Sequence, residues 1–478
     1  MTENSVPISI TIRVFEQEMK IEQKAELSQL EEAIHGIVNE TGLQILGLGI
    51  KAIDDRIAEA VPEGWKNVGT EERWIITSIG ELRYKRRIYQ DEKQSRRKPI
   101  DELLGIERHS RMSKRVQEMG ASLASTGTYR LSASQLSWLI KTPVSHSSIQ
   151  RMAWQVGNRI ADGEEAERRR VFDEGGSLQG GTLSAPILYS ESDGLWVHLQ
   201  RENRKSTEIR VGIMSTGKTP IGKDRYRLEN KIFFTGIGMN SETWQEQILR
   251  EAHLNYDLSK TQLIITGGDG NQWVRHSFDR LQIKQEFVLD RFHLHRAARR
   301  AYGDREEAKQ IVSQLEKEGF DLTRKVIIQQ IRQAEGNKKE KLIKFYKYVS
   351  NNQDGLLDLE KRGYNCPFCL GAIEGNLDKL VVHRVKGRGR SWRWRGLRAM
   401  LALCRFRDVL KIHAYDYLPI QRPEKHNLRI QNLKVEYSER IQKPMPIFQG
   451  PDQDKPWVRS LFRYVHGRDA LSLCSMGN

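Results

Sequence analysis

TQLIITGGDGNQWV, residues 261–274, is the stretch on which the reading of the fold turns. Leu263, Ile264, Ile265 and Thr266 run together and are closed by Gly267 and Gly268. A short apolar run bounded by glycines predicts a buried strand, with Asp269 at its carboxyl end. Sites in open α/β sheets form at the carboxyl ends of strands. Working outward, PILYSESDGLWVHLQ (186–200) is a second such run, in which Asp193 precedes Gly194 where a strand is expected to emerge. Downstream, IKQEFVLDRFHLHR (283–296) places Asp290 at the end of a further run. STEIRVGIMSTG (206–217) and KIFFTGIGM (231–239) are also strand-like, and SETWQEQILREAHLNYDL (241–258) reads as a helix. Strands first, then helix and strand in alternation, predict a mixed α/β sheet. The 76 residues between Asp193 and Asp269 leave room for two strands and a helix, so their strands can be neighbours.

Composition narrows the chemistry. The chain has 478 residues, 38% of them hydrophobic, which is enough for two or three domains. No apolar run approaches the roughly 18 residues of a spanning helix. The N-terminal stretch lacks the basic and apolar blocks of a signal peptide. Four cysteines cannot staple a chain of this size, so a reducing cytoplasm is expected. Lysine and arginine number 78 against 62 acids, a formal charge of +16 that favours a polyanionic partner.

Residues 8–62 show helical spacing, and residues 73–90 alternate as a hairpin with its turn near Ile79-Gly80-Glu81. In 129–157 Ser132 or Ser134 can cap a helix over 135–140, Pro143 breaks it, and Ser145 can cap a second helix over 146–156. That is a helix-turn-helix or an ordinary helical hairpin. In the first case Ser147, Ser148, Gln150 and Arg151 face DNA. Residues 161–181, charged and then glycine-rich, look like a linker. From about 302 to 361 the chain is helical and highly charged, an inserted module.

Glu374 opens the helical-looking AIEGNLDKLVVHR (372–384). Two strand-end aspartates and a later glutamate in a basic chain are what metal-assisted phosphodiester chemistry needs, with hard oxygen ligands for Mg²⁺. Each Asp-Gly is also a turn signal, and Glu374 is also a helix-terminal charge. His293, three residues after Asp290, can contact a phosphate, orient a carboxylate or simply be buried against its neighbour. Residues 381–407 hold nine Lys/Arg and no acid. There Arg388, Arg390, Arg393 and Arg395 are candidate phosphate contacts, and Trp392 and Trp394 are either stacking or core residues. Cys366 and Cys369 have zinc-like spacing without a second pair and read equally as buried thiols.

Taken together, IGELRYKRRIYQD, DELLGIE, SASQLSWLIKTPVSHSSIQR, ESDGLWVHLQ, GGDGNQWV, LDRFHLHR and AIEGN resemble, in this order, the ISLre-type family of bacterial insertion-sequence transposases, from about Gly80 to Arg407. The family is similar to Mutator-type DDE transposases. The resemblance implies an RNase H-like mixed-sheet catalytic core interrupted by an all-helical insertion, with a mainly helical N-terminal DNA-binding region. It implies a triad of Asp193, Asp269 and Glu374 holding two Mg²⁺ or Mn²⁺ ions, with Asp290 and His293 as an accessory element. The expected regions are 1–115, a helix-turn-helix region 116–170, a first core part 182–301, an insertion 302–370, a second core part 371–415 and a tail 416–478. The expected activity is cleavage and strand transfer on double-stranded DNA carrying terminal inverted repeats, by a homodimer or larger homo-oligomer. A nuclease without strand transfer and a non-catalytic helix-turn-helix regulator are the rival expectations.

Overall fold

The computed structural model describes residues 26–223, 225–364, 370–387 and 389–405. Arg388, Cys366, Cys369 and the expected 416–478 tail lie outside them. The chain opens with helix α1 (Leu27–Glu59), which leaves the earlier part of the expected 8–62 helical region outside the described residues. A hairpin follows, β1 (Lys66–Thr77) and β2 (Gly80–Gln90), longer than the sequence suggested. Its two-residue turn is Ser78-Ile79, with Thr77 paired to Gly80. β3 (Arg96–Arg97) extends this sheet and α2 (Pro99–Leu103) closes it. Asp101 ties it together: it accepts from Arg73 at 2.7 Å and from the Tyr84 hydroxyl at 2.9 Å, and pairs with Arg86. Ile50, Ile75, Leu82 and Ile100 fill the small core between α1 and this sheet.

Three helices come next, α3 (Lys114–Thr126), α4 (Tyr129–Ile140) and α5 (His146–Phe172). α4 starts earlier than expected, because Thr128 and not Ser132 or Ser134 is its cap: the Thr128 hydroxyl accepts from Leu131 N at 3.2 Å. Ser132 is instead buried. Lys141 ends α4 in the left-handed region, at φ 52°, and Ser145 caps α5 as expected by accepting from Ser148 N. The expected linker is a correction. Residues 161–172 are the second half of α5, held by ion pairs such as Arg168–Glu246 at 2.6 Å.

The main sheet uses β4 (Ile187–His198), β5 (Ser206–Ser215), β8 (Ile232–Ile237), β9 (Leu263–Gly268) and β10 (Lys284–Leu289). Between β5 and β8 a separate hairpin is inserted, β6 (Gly217–Gly222) and β7 (Arg225–Glu229), which the sequence reading missed. The order across the sheet is β10-β9-β4-β5-β8. β4, β5 and β8 are antiparallel neighbours, while β9 and β10 run parallel to β4. This is the mixed α/β sheet the strand pattern predicted. α6 (Ser241–Asn255) and the short α7 (Gln272–Arg275) cover one face, burying Trp244, Ile248 and Ala252 against Leu188, Met214, Phe234 and Ile264.

α8 (Arg291–Tyr302) leads into α9 (Arg305–Glu318), α10 (Phe320–Gln333) and α11 (Gly336–Asn351). These helices pack on a core of their own around Ile311, Val312, Leu315 and Phe345, as an inserted module must. The chain then returns to the sheet through α12 (Ile373–Leu377), a π-turn over Asp378–Val382, α13 (His383–Val385) and α14 (Trp394–Arg405).

The other sheet face carries the largest core. Leu195, Val197, Ile209 and Val211 of the sheet meet Leu136, Ile149 and Met152 of α4 and α5 and Leu377, Val381, Leu397 and Met400 of the returning helices. Helices α4 and α5 therefore share their interior with the sheet. α5 and α14 approach so closely that a Cβ on Gly157 would sit 2.3 Å from the Ala399 carbonyl oxygen. Among the described residues no helix is long and apolar enough to cross a membrane.

Candidate active site

Register places the aspartates. In the parallel pairs Ser192 of β4 faces Gly268 of β9, which also faces Leu289 of β10. Asp193, Asp269 and Asp290 are each the next residue, so they occupy one rung across three adjacent strands spaced about 4.8 Å apart. Asp269 follows the end of β9 and Asp290 the end of β10, as expected. Asp193 does not end its strand: β4 continues five residues further, to His198, held by antiparallel pairing of Asp193 with Val211 of β5. The site forms where the parallel partners stop and β4 runs on.

Alternation along β4 puts Tyr189, Glu191 and Asp193 on one face, the face covered by α12. The Asp290 carboxylate caps α8, accepting from Phe292 N at 2.7 Å and His293 N at 3.3 Å. It thus meets the His293 backbone and not the imidazole. The imidazole turns inward, with Nε2 3.9 Å from Asp193 Oδ2 and 3.8 Å from Glu374 Oε1. One ligand atom from each of Asp193, His293 and Glu374 lies within 4.8 Å of the others. Asp269 stands beside this group; its carboxylate accepts from Asn271 N at 3.0 Å and from Asn271 Nδ2 at 2.7 Å.

The electrostatics are those of crowded acids. Burial pushes the Asp193 carboxyl above the usual aspartate range, and Asp269 and Asp290 add to the push against the Gly194 amide and His293. Glu374 is raised by partial burial and by Asp193, and His293 and Arg296 temper the rise. His293 Nε2 is buried and has no hydrogen-bond partner. Two carboxylates and an unpartnered imidazole nitrogen fit a divalent cation: oxygen donors suit Mg²⁺, and the imidazole suits Mn²⁺ as well.

Sequence reasoning missed Glu191. It is 5% exposed, and its Oε2 accepts from Gly371 N at 2.8 Å and Ile373 N at 3.1 Å, while Oε1 accepts from Ala372 N at 3.3 Å. It fastens the start of α12, and so Glu374, to the strand that carries Asp193. The available signal is an acid inside an apolar run, which is costly to bury unless paired. Arg296 was also passed over; it is exposed one turn beyond His293, with its guanidinium 6.0 Å from the exposed ring of Phe292.

The other candidate residues divide. Ser147 and Arg151 are exposed at the start of α5, and Ser148 and Gln150 are half-buried. In the basic segment Trp392 is core, with Nε1 donating to Val385 O at 2.8 Å. Trp394 packs over Gly238. Arg384 is buried, its guanidinium 5.1 Å from both the Tyr129 and Trp392 rings. Arg390 binds the carbonyls of His383 and Arg384. Arg393 and Arg395 are exposed to solvent. Asp378, four residues after Glu374, is exposed and outside the metal-ligand group.

Comparison with curated proteins finds no match. A family model described as Uncharacterised protein family (UPF0236) matches residues 20–412, a span that contains every site residue above. The chain belongs to that family.

Proposed function

We propose that the chain is a metal-dependent DDE transposase built on an RNase H-like core. The observation that carries the reading is the convergence of Asp193, His293 and Glu374, from a strand, a helix start and a distant returning helix, within 4.8 Å. The mixed sheet, and the helical insertion between β10 and the glutamate helix, support the expected interrupted core. Asp193 and Glu374 would hold Mg²⁺ or Mn²⁺ with Asp269, and His293 lies where it can complete the set. Divalent ions there supply Lewis-acid assistance to phosphodiester hydrolysis and to attack by a DNA 3′-hydroxyl. Exposed Arg296, Arg393 and Arg395 would bind phosphate, and exposed Ser147 and Arg151 would meet the terminal repeats. Asp193 and Glu374 must be ionised to hold metal, and burial raises both carboxyls, so metal binding weakens on acidification. Pairing two element ends calls for a homodimer or larger assembly.

The test is cleavage and joining of DNA that carries the sequences flanking the coding region, with Mg²⁺ or Mn²⁺. Asp193→Asn and Glu374→Gln should each abolish both products while DNA affinity stays within about twofold. Cleavage that survives either substitution refutes the assignment. Cleavage without joined products in the wild type leaves a nuclease.

A further inference from the structure

A cavity of about 680 Å³ opens beside the acid cluster, between β4, the β6–β7 hairpin and α12. It adjoins the cluster at two points. Gly375 in its wall follows Glu374, and Glu191 lies about 7 Å from Asp193 along β4, at ~3.3 Å per residue.

Its chemistry is one-sided. Lys218, Arg227, Lys231 and Lys379 line it, and Glu191 is its sole acid. The Glu191 charge is already engaged by three backbone amides. Tyr226, 58% exposed, presents a ring with the Lys218 ammonium 4.8 Å from its centroid. Lys231 Nζ reaches across to Asn376 Oδ1 at 3.0 Å. A Cβ built on Gly375 meets nothing within 4 Å, so the wall next to Glu374 is bare backbone facing open space.

A tyrosine ring among cations suits a flat base with its phosphates. The volume falls within the roughly 300–1,000 Å³ of small-molecule pockets, which admits a nucleotide and excludes a duplex. We propose that this cavity receives one unpaired nucleotide of the DNA strand being cut, with its base against Tyr226 and its phosphates on Lys231 and Arg227. The proposal rests on the acid cluster being a DNA-cleaving centre. It predicts a protein that binds a frayed or single-stranded end more tightly than a blunt one.

The test separates the two readings by measuring binding without metal. Fluorescence anisotropy of the full chain in EDTA compares a labelled single strand, a duplex with an unpaired end and a blunt duplex. Wild type should prefer the unpaired end. Gly375→Phe, which fills the cavity, and Tyr226→Ala, on the exposed hairpin, should each weaken that binding by about tenfold, within the range of one lost base stack. Blunt-duplex affinity should move by less than about twofold. Lys231→Ala should lower the single-strand salt slope by about 0.7. Unchanged single-strand affinity in Tyr226→Ala and in a folded Gly375→Phe overturns the proposal, as does a wild type without preference for unpaired ends. A wild type that cuts DNA while these variants bind normally refutes the pocket alone. One that shows the expected binding losses yet never cuts refutes the cleavage reading.

Discussion

Replacing Glu191 tests whether the strand of Asp193 holds the helix of Glu374 in place. In Glu191→Ala three backbone donors lose their acceptor: Gly371 N, Ala372 N and Ile373 N. A buried donor left unsatisfied costs about 1–3 kcal/mol. Only Ile373, at 1% exposure, is fully shut away from water, whereas Gly371 is exposed and Ala372 half-buried. One full and two partial losses give about 2–4 kcal/mol, after part is returned by no longer burying a charge. Glu191→Gln should cost less, about 1 kcal/mol. Its single carbonyl oxygen can take the Oε2 position and keep the 2.8 and 3.1 Å bonds, so that only the 3.3 Å bond to Ala372 is lost. Because Glu374 rides on this helix, Mn²⁺ affinity should fall about 10–100-fold in the alanine variant and recover largely in the glutamine variant, as for other supports of metal ligands. Urea unfolding followed by circular dichroism gives the first quantity and titration calorimetry with Mn²⁺ the second. An alanine variant that unfolds at the wild-type midpoint, or binds Mn²⁺ as wild type does, refutes the anchoring role.

Asp193→Asn should stabilise the metal-free protein at pH 7 by about 0.5–2 kcal/mol, as relief of a functional site often does. The folded carboxyl holds its proton more tightly than the unfolded one, so stability falls as pH rises from the ordinary aspartate range through the raised value, and the asparagine variant should lack that fall in thermal scans. Gly157→Ala should cost about 3 kcal/mol, the upper end for overpacking, because its Cβ meets the Ala399 backbone and not a yielding side chain; an unshifted unfolding midpoint would contradict the close approach of α5 and α14. Neutralising Arg393 and Arg395 together should lower the log–log salt slope of duplex binding by up to about 1.8. Arg390 belongs outside that set because it holds the carbonyls of His383 and Arg384.

The strands of the sheet were legible because apolar runs closed by glycine carry their own signal, and the register then had few ways to bring Asp193, Asp269 and Asp290 abreast. The β6–β7 hairpin was not, since GKTPIG and RYRLE are short and polar and lie off the main sheet. The second half of α5 does not read as helix because ADGEEAERRR shows charge in place of apolar helical periodicity. What holds it is pairing with α6 through contacts such as Arg168–Glu246, made across 78 positions of sequence. Glu191 was hidden for the same reason: its partners lie about 180 residues away, and local pattern cannot show a long-range acceptor. The metal group was half legible. His293 was noticed for its spacing from Asp290, yet its turn towards Asp193 and Glu374 follows from where α8 and α12 dock.

If the start of α5 reads DNA, as proposed, the continuity of this helix fixes the geometry there. Its 27 residues form one rod about 40 Å long, with the Ser145 turn at one end. No slack chain intervenes before its packing against α14 and α6. A reader on a tether would tolerate variable spacing between the bases it recognises and the bond that is cut. A reader at the tip of this rod acts as a ruler. The separation between recognised repeat and cleaved phosphate should therefore be fixed to the base pair, and half a helical turn of DNA inserted between them would point the scissile bond away from the acids.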